Sequence, residues 1–117
     1  SMEAYSQSKL AIILWSYHLA STLGEQGPGI IAVNPGSLLA SKMVKESFGI
    51  QGNDLSIGAD ILARLAVDDE FKNTTAKYYD NDKGYIADPH RDALNPAKCQ
   101  QVTNTIERIL EKLGHAL

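Results

Sequence analysis

The sequence predicts an α/β chain, and three observations carry that prediction. Apolar residues recur at helical spacing near both ends and again from Ile57 to Leu65. A short unbroken run rich in β-branched residues, Ile30–Val33, lies between two turn signals, as in a strand covered on both faces of a parallel sheet. A second strand or hairpin signal surrounds Asn81-Asp82-Lys83-Gly84.

The first element is a helix over residues 1–24. Leu10, Ile13, Leu14 and Tyr17 mark one face; Ile12, Trp15, Leu19 and Leu23 mark another. A helix apolar on two faces is buried on both sides. One face is expected to cover the sheet, the other a neighbouring helix or a subunit boundary. Gly27-Pro28-Gly29 turns the chain into the strand segment 29–36. Asn34-Pro35-Gly36 ends it, because proline cannot donate to the ladder and glycine accepts unusual dihedrals. A strand of this kind with an uncovered edge is expected to pair with another copy of the chain.

Residues 37–55 lack clean periodicity yet carry Leu38, Leu39, Met43, Val44, Phe48 and Ile50. Exposed loops seldom hold so many apolar groups unless they cover something. This stretch reads either as a lid over something or as a small helical hairpin packed on the sheet.

Within residues 56–117, Ile57, Ile61, Leu62 and Leu65 form a helix with Ser56 or Asp54 as cap, and Asp68-Asp69-Glu70 is its solvated end. Ala76–Asp80 and Tyr85-Ile86 read as an edge strand or hairpin. Asp80-x-Asp82-x-Gly84 is no EF-hand, since Tyr85 and Arg91 stand where glycine and glutamate are required. His18, His90 and His115 are too scattered for a metal site, and none is expected. Asn95-Pro96 starts the last helix, Val102, Ile106, Ile109, Leu110 and Leu113 form its stripe, and Gly114 ends it.

The chemistry is concentrated in Tyr5-Ser6-Gln7-Ser8-Lys9. Residues i and i+4 sit roughly 40° apart on a helix, one turn above the other. A free phenol ionises near pH ~10, and moving one by 2–3 units takes roughly 3–4 kcal/mol. A cation at ~4 Å in an effective dielectric of about 20 supplies about that much. The pair therefore makes sense as a general acid/base unit, although a surface lysine covering an aromatic ring has the same spacing. Ligands in open α/β sheets bind beyond the carboxyl ends of strands, where Pro35-Gly36 lies.

Tyr5-x-x-x-Lys9 followed by Val33-Asn34-Pro35-Gly36 resembles the short-chain dehydrogenase/reductase family, over nearly the whole chain. The wording Tyr5–Ala11 and Thr75–Asp80 is similar to its retinol-dehydrogenase-like and WW-domain-oxidoreductase-like members. The resemblance implies the C-terminal half of a doubly wound, Rossmann-like parallel sheet, truncated before the dinucleotide-binding turn. It implies that Tyr5 exchanges a proton with the substrate oxygen, while Lys9 binds the nicotinamide ribose and favours the ionised form of Tyr5. Pro35, Gly36, Ser37 and Leu38 would line the nicotinamide of NAD or NADP. Relatives carry a threonine where Ala40 stands; either Ser41 replaces it through a small shift or backbone groups hold the ring. The lid lining implies a lipophilic alcohol or carbonyl substrate, and relatives pair the first helix across a homo-oligomer interface. The glycine-rich turn, the ribose selector and the active-site serine of the family would lie upstream of Tyr5, so the chain by itself is expected to be inactive. The alternative is a non-catalytic interaction or regulatory relative.

Composition agrees with an ordinary globular chain. It has 117 residues, 44% hydrophobic and 21% charged, large enough for one core. A net charge of −3 gives no electrostatic case for nucleic acid or anionic membrane, and no apolar run approaches the ~20 residues of a span. Cys99 is the only cysteine, so no internal disulfide forms, which suits a reducing cytoplasm; it is read as a small hydrophobe in a helix.

Overall fold

The structure, a computed structural model, describes residues 1–37, 39, 49 and 52–114. It is mixed α/β, with an open three-stranded sheet between helices. Helix α1 (Met2–Leu23) is followed by strand β1 (Ile31–Asn34), helix α2 (Leu55–Val67), strands β2 (Lys77–Asp80) and β3 (Tyr85–Ala87), and helix α3 (Pro96–Lys112). Short 3-10 turns at Asp69–Phe71 and Arg91–Leu94 complete the order.

The strands lie in the order β1-β2-β3. β1 runs parallel to β2, with Ala32 opposite Tyr78 and Val33 opposite Tyr79, and α2 supplies the crossover that a parallel pair needs. β2 and β3 form the antiparallel hairpin around Asn81–Gly84. Of the two alternatives for this segment, edge strand or hairpin, the hairpin forms: β2 pairs on both sides, and β3 takes the edge. β1 starts one residue later than the expected run, at Ile31, and stands at the other edge. The open upstream edge expected of it is there among the described residues.

The apolar side chains form two cores, and β1 contributes to one of them. Ile31 and Val33 join Ile61 and Leu65 of α2, Phe71 and Tyr79, where the Phe71 and Tyr79 rings meet edge to face at 5.9 Å. The phenol of Tyr78, the preceding residue, is pushed up by burial, with Asp80 and Asp82 adding to the effect. The second core joins Leu14 of α1 to Ala93 and Cys99, with Leu10, Ile13, Tyr17 and Val102 packed against it. The stripe Leu10–Tyr17 packs on α3 and the Arg91–Leu94 turn, because α3 brings an apolar stripe that needs a partner. The other face is left partly open, with Ile12 48% and Leu23 37% exposed.

The caps behave as the sequence indicates. The Asp54 side chain accepts the Ser56 N–H at the start of α2, and Asn95 accepts the Lys98 N–H ahead of Pro96. Asp68 ends α2 and caps the next turn by accepting from Glu70 N–H. In α3, Cys99 is buried and Thr103 returns its hydroxyl to the Cys99 carbonyl at 2.9 Å. Ile109 and Leu113 of the expected stripe are largely exposed.

Candidate active site

Tyr5 and Lys9 occupy the N-terminal turns of α1 and face the same way. The Lys9 ammonium lies over the Tyr5 ring, 5.4 Å from its centre. That is a cation resting on the negative face of the ring. Tyr5 is 40% exposed.

α1 is in contact with β1 and is joined to it by the short connection 24–30. Among the described residues no hydrogen bond joins Tyr5 or Lys9 to Pro35, Gly36 or Ser37. Leu38 and Ser41 lie outside the described residues, as does most of the expected lid; of its ends, Leu39 forms a parallel bridge with Asn53.

The Pro35–Ser37 corner is held by groups that sequence reading left without a role. Asn34 Oδ1 accepts the Gly36 N–H at 3.1 Å, an Asx turn that places Gly36 at φ +138°. Asn34 Nδ2 donates to Asp82 Oδ2 at 2.9 Å and to Asp80 Oδ1 at 3.2 Å. Ser37 donates its N–H to Asp82 Oδ1 at 2.9 Å and its hydroxyl to Asp82 Oδ2. Asn81 Nδ2 donates to the carbonyls of Pro35 at 2.9 Å and Ile57 at 3.1 Å, tying the corner to α2. The Ser37 N–H and hydroxyl, followed by Asn34, hold the Asp82 carboxyl below the usual carboxylate range. The only signals for this in the sequence are an Asx residue before Pro-Gly and two acids in the turn of the neighbouring strand.

This geometry bears on what a nicotinamide coenzyme would find. The Gly36 and Ser37 N–H groups are engaged internally, so Ser37 offers oxygen lone pairs rather than donors. A Cβ on Gly36 would meet Leu39 Cδ2 at 3.2 Å, so that side of the glycine is filled by leucine. Lys9 brings donors suited to ribose hydroxyls. The glycine-rich spacing that holds a pyrophosphate is lacking in the sequence.

A shallow hollow of about 170 Å³ lies elsewhere, between the C-terminal end of α2 and Gly29-Ile31, at the opposite end of β1. Among the described residues, no helix is long and apolar enough to cross a membrane and no group of His, Cys, Asp and Glu is arranged to hold a metal. No family model matches the chain, and neither a curated protein nor a solved structure matches it.

Proposed function

We propose that this chain is the C-terminal half of a compact short-chain NAD(P)-dependent oxidoreductase that interconverts a lipophilic alcohol and its carbonyl. The supporting observation is the Tyr5–Lys9 pair on one face of α1, in a chain whose next strand ends at Pro35-Gly36. In this reading the open sheet is part of a doubly wound, Rossmann-like one. Its remaining strands and glycine-rich turn belong to the other half, and the parent works in the reducing cytoplasm as a homo-oligomer.

When bound, the nicotinamide supplies the hydride acceptor or donor. Tyr5 moves the proton: its hydroxyl gives a proton to a carbonyl oxygen on reduction and takes one from the alcohol on oxidation. Lys9 holds ribose hydroxyls and places positive charge beside Tyr5. Pro35, Gly36 and the residues after them, including Ser37, Leu38 and Ser41, form the wall against the ring.

A second reading has one observation in its favour. Lys9 lies over the face of the Tyr5 ring, which is also how a surface lysine covers an aromatic side chain in a non-catalytic interaction or regulatory relative. Two measurements separate the readings. The full protein should oxidise long-chain or retinoid-like alcohols with NAD or NADP; failure with every alcohol and carbonyl tried removes the enzyme reading. The 117-residue chain alone should show no micromolar affinity for either coenzyme by calorimetry, since the half that grips the phosphates is elsewhere.

A further inference from the structure

We infer that Asp82 is a positioning residue: through Ser37 and Asn34 it sets the shape of the corner leaving β1, and so the wall of the proposed site. The inference rests on the dehydrogenase reading above. Proline fixes one φ in this corner and glycine permits φ +138°, but neither selects that conformation. The hydrogen bonds select it, and they come from a turn 45 residues further along. Asn81 N–H donates to the Asn34 carbonyl at 2.9 Å, Asn81 Nδ2 to the Pro35 carbonyl at 2.9 Å, and Ser37 N–H to Asp82 Oδ1 at 2.9 Å. Asp82 Oδ2 takes the Ser37 hydroxyl and one Asn34 amide proton, and that same Asn34 amide restrains Gly36 through its oxygen. The turn keeps its own shape through Asp80, whose Oδ1 accepts the Asp82 N–H at 3.0 Å.

Asp82 is thus the only side chain among the described residues that binds both the strand's last residue and the backbone beyond the glycine. No atom of Asp82 needs to reach a substrate for this role. Removing its carboxylate frees the Ser37 N–H and hydroxyl, leaving the Ser37 carbonyl on Asn53 Nδ2 at 3.0 Å and the Gly36 N–H on Asn34, while the sheet register and both cores lie outside the change.

The test compares Asp82→Ala and Asp82→Asn. In the 117-residue chain, amide exchange is read at Ser37 against a core amide such as Ile61. In the full protein, kcat and coenzyme KM are read with an alcohol substrate. Asp82→Ala should speed Ser37 exchange by about tenfold with Ile61 unchanged, and lower kcat/KM by about tenfold or more, as loss of charge-assisted hydrogen bonds does. Asp82→Asn keeps an oxygen for the Ser37 N–H and should recover most of both losses, and it also serves if the alanine variant does not fold. Unchanged Ser37 exchange in Asp82→Ala overturns the inference, as does faster exchange with unaltered kcat/KM. Absence of turnover in the unsubstituted protein overturns the dehydrogenase reading and the positioning role together, whereas the exchange data still report whether Asp82 holds the corner.

Discussion

Asp82 carries two consequences at the scale of single residues. Its carboxylate accepts from the Ser37 N–H, the Ser37 hydroxyl and Asn34, and these donors favour the charged form. A carboxyl held below its ordinary value in the folded chain contributes stability above its unfolded value of about 3.9, and that stability is lost as pH falls through the folded value. An NMR titration should therefore show the Ser37 amide and the Asp82 carboxyl moving together, with a midpoint below about 3.9. A midpoint at or above that value would show that the three donors do not reach Asp82 in solution. The sequence reveals little of this. Spacing rules out an EF-hand at Asp80–Arg91, but partners 45 residues apart meet only because β1 and β2 are parallel neighbours, and no local pattern states that.

At the scale of elements, most of the order was readable. The caps at Asp54 and Asn95, the β1 run, the hairpin around Asn81–Gly84 and the amphipathic last helix follow from side-chain chemistry and period, which are local. What α1 packs against was not readable, because two apolar faces fit several neighbours equally well. The crossing of the chain at Gly29 is a test of the β1 entry. The Ile30 carbonyl accepts Ala76 N–H at 2.9 Å and the Ile30 N–H donates to Thr75 Oγ1 at 3.0 Å, which brings the Thr74 carbonyl against Gly29. A Cβ at Gly29 would collide with that carbonyl, a backbone atom that cannot turn aside. Gly29→Ala should cost about 1–3 kcal/mol in urea unfolding, as overpacking does. An unchanged midpoint would mean that the strand entry differs from the one described.

At the scale of the whole molecule, the described residues cover themselves poorly. Ile12, Leu55, Ile57 and Leu62 are each close to half exposed, and β1 has one unpaired edge. Among the described residues no large side chain is fully buried. Open strand edges beside apolar helix faces are templates for pairing. In light scattering the isolated chain should run as dimers or larger species at micromolar concentration, and a monodisperse monomer would contradict that.

The proposed catalytic pair is the part of the site that spacing alone placed, since i and i+4 must share a helix face. The most direct measurement is turnover of Tyr5→Phe in the full protein, with coenzyme affinity measured alongside. The proposal that Tyr5 moves the proton predicts a loss of about 10²–10⁴-fold in kcat with coenzyme affinity retained. Turnover within a few-fold of the unsubstituted protein would contradict it.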